Sequence, residues 1–217
     1  MNDRRLPDAT VARLPVYLQV LVEAAEDGRG TLSSEDLATA AGLTSAKVRK
    51  DLSLLGSYGT RGVGYEVAEL TEEISTVLGL DVDRKVVIVG VGNLGSALAS
   101  YDGFTRRGFS VAALLDADPA KAGTLVGGHR VQPADAMGRI VTEHGVTIAV
   151  LATPVRYAQR VADELVDAGV TAILNFAPVY LELPEHVTVR TVDLSTELQI
   201  LSFYEQLSSQ LPTIATG

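Results

Sequence analysis

Apolar residues recur at helical spacing through the first third of the chain. The pattern predicts three helices, over Pro15–Glu26, from Ser33 to Gly42, and over about Ala46–Leu55. Ser33 is the expected N-cap of the second helix, because Asp36 three residues later occupies the return position of a capping box. A tight glycine turn then joins the second helix to the third, as in a helix-turn-helix.

Glycines crowd the segment that follows the third helix. They are Gly56, Gly59, Gly62 and Gly64. Glycines at that density predict a hairpin whose tip needs positive φ. Three helices followed by a hairpin indicate a winged helix-turn-helix domain over residues 1–80. Thr71–Leu80 is expected to form a further helix that leads out of this domain.

Short β-branched runs alternate with helical stretches after residue 80. The predicted strands are Lys85–Gly90, Ser110–Asp116, Thr147–Ala152, Thr171–Asn175 and His186–Val192. The predicted helices are Ser96–Tyr101, Pro133–His144 and Pro154–Ala168. Such alternation indicates a parallel sheet covered on both faces, so residues 81–194 are expected to form a Rossmann-like domain.

The C-terminal segment, residues 195–217, is expected to begin with a helix over Ser195–Leu211. Its apolar stripe is too wide for an exposed tail. A helix-turn-helix protein with one recognition helix needs a second copy to contact both half-sites of a DNA operator. This favours burial of the C-terminal helix against a partner subunit. The predicted fold class is therefore α/β, with a winged helix-turn-helix, a Rossmann-like parallel sheet and a C-terminal dimerisation helix.

A glycine-rich turn follows the first strand of the second domain. It reads Gly90-Val91-Gly92-Asn93-Leu94-Gly95, a G-x-G-x-x-G with a strand before it and a helix after it. The first glycine permits the turn, the second lets the backbone approach a pyrophosphate, and the third lets the helix close on the strand. Asp116 ends the next strand, where an acid would bind the adenosine ribose and repel a 2′-phosphate, which favours NAD over NADP. The alternative is that the glycines only shape a turn.

Two other strand ends are expected to complete the coenzyme pocket, because ligands of such sheets bind beyond the carboxyl ends of the strands. They are Thr153-Pro154 and Asn175-Phe176-Ala177-Pro178, although ordinary loop chemistry is an alternative interpretation of the second. Tyr101 is expected to reach the nicotinamide half. We find no acid–base constellation such as Tyr-x-x-x-Lys after Asn175, so the pocket is interpreted as a binding site without a reaction.

Composition narrows the class of protein. The 217 residues contain no cysteine and only three scattered histidines, which argues against disulfides and metal centres. No apolar run approaches the ~20 residues of a membrane span, and the N-terminus lacks the apolar core of a signal peptide. We expect a cytoplasmic protein with neither membrane nor metal partners.

A basic patch contrasts with the formal net charge of −9. Thr44–Tyr65 holds four cations and a single acid, Asp51. Phosphate contacts supply most sequence-neutral affinity for DNA, and the first half of a recognition helix faces base edges. The predicted DNA-binding residues are Ser45, Lys47, Arg49, Lys50 and Ser53 on the third helix, and Arg61 and Gly62 at the wing tip. A solvated helix face is the plainer alternative.

Four stretches resemble the Rex family of redox-sensing transcriptional repressors. They are TSAKVRKDLSLLGSYGTRGVGY, VVIVGVGNLGSALASYDGF with LLDADPAKAG, and ILNFAPVYLELPEHVTVRTVDLSTELQILSFY. The resemblance covers the chain from about Arg13 to Tyr204. It implies a homodimer that binds palindromic double-stranded operator DNA and is released by NADH, while NAD+ competes for the same site and is compatible with repression.

The resemblance also implies roles for individual residues. The turn at Gly90–Gly95 would hold the phosphates, Asp116 the ribose, and Asn175–Pro178 a second loop of the site. Tyr101 and Asp193 would lie near the nicotinamide and the domain junction, as the candidate switch. The C-terminal helix would be exchanged between subunits and inserted between the partner's domains. Some members carry a basic residue in the first helix where this chain has Gln19, so an interdomain ion pair from that position is not carried over.

Two other functions stay open on the residues alone. The first is a small NAD-dependent oxidoreductase with a helical N-terminal addition, against which the missing acid–base set counts. The second is an interaction module that holds the nucleotide for structure only, against which the basic third helix counts.

Overall fold

Residues 6–56, 59–60 and 62–210 are described by a computed structural model. They belong to two units, Met1–Val82 and Asp83–Gly217. The helices of the first unit are α1 (Asp8–Val11), α2 (Leu14–Glu26), α3 (Ser34–Ala40), α4 (Ser45–Leu55) and α5 (Val67–Val77). Its strands β1 (Thr31–Leu32) and β2 (Tyr65–Glu66) pair antiparallel.

The helix boundaries follow local capping chemistry. Ser33 Oγ accepts from the Asp36 amide at 3.0 Å, and the Asp36 carboxylate accepts from the Ser33 amide at 3.4 Å, so the predicted capping box is present. Thr44 caps α4, which ends at Gly56 with φ of 100°. The helix expected over Thr71–Leu80 instead starts at Val67 and ends at Val77. The reason is that its buried stripe begins at Val67 and continues through Leu70 and Ile74.

The predicted wing is only partly described. Thr60 and Gly64 form an antiparallel bridge, and Gly62 and Gly64 have φ of 81° and 106°. A Cβ at Gly64 would collide with the carbonyl of Leu32, so the close approach of β1 requires a glycine there. The strand pairing therefore joins β2 to β1, a partner that the sequence did not indicate.

One buried carboxylate ties three helices of the first unit together. Asp51 lies on the inner side of α4, and its side chain is only 3% exposed. It accepts from Thr10 Oγ1 at 3.0 Å, from Arg13 Nε and Nη2 at 2.6 and 2.7 Å, and from Tyr17 Oη at 2.8 Å. The residues that donate come from α1 and α2 and from the turn between them, so the network fixes α4 against the N-terminal helices.

This network corrects the charge count of the predicted basic patch. Asp51, its single acid, is buried and paired with Arg13. Tyr17 is fully buried and Tyr65 is buried, so both belong to the core. Burial also raises the pKa of Tyr17 to about 12.

The second unit is a seven-stranded sheet with helices on both faces. Its strands are β3 (Arg84–Val89), β4 (Phe109–Asp116), β5 (Leu125–Val126), β6 (His129–Pro133), β7 (Ile148–Leu151), β8 (Ala172–Asn175) and β9 (Thr188–Thr191). Its helices are α6 (Asn93–Ala99), α7 (Met137–His144), α8 (Val155–Asp167) and α9 (Leu194–Gln210). The strand order is β5-β6-β4-β3-β7-β8-β9, and every pair is parallel except β5 with β6.

Alternate residues of the central strand face opposite layers. Val87 and Val89 pack with Met137, Ile140 and other buried residues of α7 and α8. Ile88 packs into the other layer, where α6 contributes Ala99. A strand buried on both faces explains the unbroken apolar run of β3. The predicted fold class, a winged helix-turn-helix followed by a Rossmann-like parallel sheet, is confirmed.

The hairpin of β5 and β6 was missing from the sequence prediction. Gly127 and Gly128 join its strands with φ of 55° and 82°. Two successive positive φ values at a Gly-Gly pair are typical of a hairpin turn, so this dipeptide was the signal that could have found it. The helix expected from Pro133 also starts later, at Met137, after a 3-10 turn over Ala134–Ala136.

Substitution of Arg13 by Ala is expected to destabilise the first unit by roughly 3 kcal/mol, because it leaves the Asp51 carboxylate buried without its cation. Urea unfolding measures this loss. The matched control is Arg29→Ala, because Arg29 lies 3.4 Å from Asp36 with both side chains about half exposed and should cost less than about 1 kcal/mol. Equal losses for the two variants would contradict the role of the buried pair.

The Asp51 network also makes stability depend on pH. Burial alone would raise the pKa of Asp51, but hydrogen bonds from Arg13, Tyr17 and Thr10 hold it below its ordinary value. A lowered folded pKa stabilises the unit above the unfolded value of about 3.9, and that contribution is lost as the pH falls through the folded pKa. Below pH 4, the free energy of unfolding of the Asp51→Asn variant should therefore fall less with decreasing pH than that of the parent protein. Urea unfolding of both proteins at several pH values measures this difference.

Candidate functional site

A cavity of about 790 Å³ opens beyond the carboxyl ends of β3, β4, β7 and β8. Ten of the predicted coenzyme residues line it: Gly90, Gly92, Asn93, Leu94, Asp116, Thr153, Pro154, Phe176, Ala177 and Pro178. Parallel strands bring these turns to one edge of the sheet, which is where ligands of such sheets bind. Every lining residue belongs to the second unit.

The glycine turn is shaped by two close backbone approaches and one open position. Gly90 has φ of 96°, and a Cβ on it would lie 2.6 Å from the carbonyl oxygen of Ala152. A Cβ on Gly95 would collide with the carbonyl of Gly90. At Gly92 a Cβ would meet nothing within 4 Å, so the space beside this backbone is free for a ligand.

Asp116 is held at the end of β4 by three donors. Its Oδ2 accepts from the Val91 amide at 2.7 Å and from Lys121 Nζ at 2.9 Å, and its Oδ1 accepts from the Asp118 amide at 2.8 Å. Burial alone would raise the pKa of Asp116, but Lys121 and the two amides hold it below its ordinary value. The carboxylate is therefore ionised near neutral pH and aligned by the turn that it borders.

Thr153 supplies a polar atom that has no partner within the described part of the chain. Its Oγ1 is buried without a hydrogen bond, and the residue lines the cavity. A buried hydroxyl without a partner costs free energy unless a ligand or water satisfies it. The cavity therefore combines three features that fit a dinucleotide. They are a hydroxyl without a partner, a glycine backbone open to a ligand, and an ionised carboxylate where a ribose would bind.

Three predicted coenzyme residues serve the site without lining the cavity. Val91 is buried and gives its amide to Asp116, and Gly95 lies beneath the turn. Asn175 is fully buried; its Nδ2 donates to the Val179 carbonyl at 3.0 Å and its Oδ1 accepts from the Ala177 amide at 2.9 Å. Asn175 thus shapes the loop that carries Phe176, Ala177 and Pro178.

The two predicted switch residues are not among those that line the cavity. Tyr101 is 51% exposed, and its ring packs edge-on against Phe104 with centroids 5.3 Å apart. Asp193 accepts from the Ser195 amide at 2.9 Å and from Thr196 Oγ1 at 3.2 Å, at the start of α9. Their role as a switch stays a prediction.

The structure adds lining residues that the sequence analysis missed. Lys121 pairs with Asp116, and the first turns of α8 contribute Tyr157 and Arg160. The guanidinium of Arg156 lies 4.7 Å from the centroid of the Tyr157 ring, and Arg160 Nη1 lies 3.5 Å from Glu164 Oε1. The available signal was the position of α8, which begins directly after a strand end that the sequence had already assigned to the pocket.

The helix-turn-helix presents a cationic face. Lys47, Arg49 and Lys50 are exposed on α4, and the Arg49 guanidinium donates to Ser34 Oγ at 2.9 Å. Ser53 donates to the Lys50 carbonyl at 2.8 Å, and Ser45 is partly buried. Gly62 is exposed, whereas Arg61 lies outside the described residues. Since Asp51 points into the core, this face of α4 has no exposed acid to oppose its three cations.

The part of the chain that the structure describes contains neither a cluster of metal-ligating side chains nor a membrane-spanning helix. No group of three or more histidine, aspartate or glutamate side chains there could hold a metal ion. No helix there has the length and apolar character to cross a bilayer.

A cationic helix-turn-helix and a dinucleotide-type cavity on one chain define a two-domain, nucleotide-binding class of DNA-binding protein. Family models agree: residues 5–53 match "Putative DNA-binding protein N-terminus", and residues 81–179 match "CoA binding domain". A redox-sensing transcriptional repressor Rex from Streptomyces griseus subsp. griseus is 62% identical over 205 residues, which cover 94% of this chain and 81% of the relative. The chain belongs to the Rex family of redox-sensing transcriptional repressors, and the predicted resemblance is confirmed.

Two solved structures of RSP, a Rex-family repressor, are similar over nearly the whole chain. The complex of RSP with beta-NAD+ and operator DNA is 32% identical with a TM-score of 0.86, and covers 96% of this chain and 99% of that one. The complex of RSP with beta-NADH is 31% identical with a TM-score of 0.85, and covers 95% and 97% respectively.

Two alanine substitutions in the glycine turn should separate folding from the open ligand position. Gly95→Ala is expected to lower the free energy of unfolding by roughly 2 kcal/mol, because the new Cβ meets the fixed backbone of Gly90. Gly92→Ala should change it by less than about 0.5 kcal/mol, because its Cβ meets open space. Urea titration of the two variants measures both values, and similar losses would contradict the assigned geometry.

Proposed function

We propose that this protein is a cytoplasmic redox-sensing repressor that binds palindromic operator DNA as a homodimer and is released by NADH. NAD+ occupies the same cavity and is compatible with DNA binding. One observation carries this proposal: the chain combines an exposed cationic α4 with a cavity that contains the glycine turn and Asp116. The RSP complexes with operator DNA and with both oxidation states of the coenzyme support it.

DNA binding is assigned to α4. Lys47, Arg49 and Lys50 supply three exposed cations on one helix, enough to contact phosphates and base edges together. Arg49 has planar donors that suit a guanine in the major groove. The hydrogen bond from Arg49 to Ser34 orients its side chain from the preceding helix.

Coenzyme binding is assigned to the cavity of the second unit. The open backbone at Gly92 would receive the pyrophosphate, Asp116 the adenosine ribose, and Thr153 Oγ1 a polar group of the nucleotide. Phe176, Ala177 and Pro178 would line the nicotinamide half. The coenzyme supplies hydride chemistry in dehydrogenases, but here we propose that its oxidation state is read and not consumed.

The lining residues favour binding over catalysis. Among the described residues that line the cavity there is no histidine, Lys121 is paired with Asp116, and the ring of Tyr157 packs against the Arg156 guanidinium. A general acid or base needs a side chain with a proton available to the reacting atom. We therefore propose a sensor and not an oxidoreductase.

Dimer formation is assigned to α9. Seven large apolar side chains of this helix are 45–67% exposed in the single chain: Leu194, Leu198, Ile200, Leu201, Phe203, Tyr204 and Leu207. Ser195, Gln199 and Ser202 form a polar stripe at helical spacing between them. Monomeric proteins rarely leave so wide an apolar surface in water, so we propose that a second copy covers it.

The switch requires two arrangements of the dimer with different affinities for the coenzyme. One arrangement spaces the two α4 helices about one duplex turn apart, and the other does not. NADH must bind the second arrangement more tightly, because a ligand of equal affinity shifts nothing. Tyr101 and Asp193 are the proposed residues that tell a neutral dihydronicotinamide from a cationic nicotinamide.

Two alanine variants should separate the two sites in a gel-shift titration. Asp116→Ala should keep operator affinity within about threefold and raise the NADH needed for release roughly tenfold or more, because it removes a ribose ligand. Arg49→Ala should weaken operator binding by about 1–3 kcal/mol and leave NADH affinity unchanged. Equal release of the parent protein by NADH and NAD+ would exclude the proposed function.

Two charges on the apolar face of α9 should dissociate the dimer. Leu198→Glu with Leu201→Glu is expected to give a monomer in sedimentation velocity and to weaken operator binding, because two half-sites then bind independently. The matched control is Ser202→Glu, which adds charge to the polar stripe of the same helix. A dimer that survives the double substitution would place the interface elsewhere.

A further inference from the structure

The Asp116 carboxylate is nearly saturated before any nucleotide arrives. A carboxylate has about four positions for hydrogen-bond donors. Val91 and Lys121 use both positions of Oδ2, and Asp118 uses one position of Oδ1. One position remains, whereas the two hydroxyls of an adenosine ribose would need two.

Lys121 is the one of these donors that can leave. The other two are backbone amides fixed by the turns at Val91 and Asp118. Lys121 reaches Asp116 from the end of a 3-10 turn, and its side chain is 37% exposed while that of Asp116 is only 11% exposed. Its flexible stem lets the ammonium swing aside for a ribose hydroxyl and stay beside the same sugar.

A ribose 2′-phosphate meets the same pair differently. The phosphate only accepts hydrogen bonds, so it gains nothing from Asp116 and is repelled by its charge. The Lys121 ammonium offers that phosphate a cation at 2.9 Å from the repelling carboxylate. A 2′-phosphate at this place would therefore be repelled by Asp116 and attracted by Lys121 at the same time.

We propose that Lys121 is a specificity-determining residue of this cavity, which weakens the discrimination that Asp116 would otherwise impose against a 2′-phosphorylated dinucleotide. This inference rests on the proposed function, that the cavity binds NADH. Asp118 also lines this corner, with its carboxylate accepting from the Ala120 amide at 2.9 Å. Two acids against one cation leave the corner negative, so the unphosphorylated coenzyme is still preferred.

The test compares the dissociation constants of NADH and NADPH, measured through the fluorescence of the reduced nicotinamide. Lys121→Met should raise the ratio of the NADPH constant to the NADH constant roughly tenfold, which corresponds to about 1.4 kcal/mol. The constant for NADH itself should fall, since Asp116 gains a free position for the ribose. Lys121→Arg should keep the ratio near that of the parent protein.

Lys85→Met is the matched control, because Lys85 is exposed and does not line the cavity. It should leave both constants unchanged. A ratio within twofold of the parent in Lys121→Met would overturn the inference and leave the proposed function intact. Loss of NADH binding by a folded Lys121→Met variant would also overturn it. Failure of the parent protein to bind NADH at all would instead remove the proposed function.

Discussion

The steric demand of the glycine turn controls the second unit. Gly90 lies against the backbone of Ala152, directly after β7, and Gly95 lies against Gly90, with no room for a Cβ at either place. These contacts close α6 onto the central strand and leave the backbone at Gly92 facing open space. The same packing brings the Val91 amide to Asp116, so the shape of the cavity and the alignment of its acid have one origin.

Two carboxylate–cation pairs serve different ends in the two units. Asp51 is buried, receives donors from α1, α2 and the turn between them, and holds α4 in a fixed place. Asp116 is partly accessible, and its cation sits on a flexible stem at a ligand cavity. Burial makes the first pair a structural fixture, because separating it would leave an unpaired charge in the core. Exposure makes the second pair exchangeable with a ligand.

Patterning of the chain accounts for most of the elements. Helical spacing and capping residues located α2, α3 and α4 and, with shifted bounds, α5, but not the short α1. The β-branched runs located β3, β4, β7, β8 and β9, but not β6, which also pairs in parallel. The pairing of β2 with Thr31–Leu32 was not predictable, because a two-residue strand carries no periodic signal. The hairpin at Gly127–Gly128 interrupts the expected alternation, although its dipeptide was visible.

The sequence by itself determined the fold class and the residues of the glycine turn, since both depend on local spacing and on residues without a Cβ. Only the tertiary structure decided that Asp51 leaves the basic face and that Lys121 joins Asp116. It also decided that Asn175 shapes a loop instead of lining the cavity. These assignments depend on the direction of a side chain and on partners that lie in another turn or far away in the sequence. Local periodicity predicts neither.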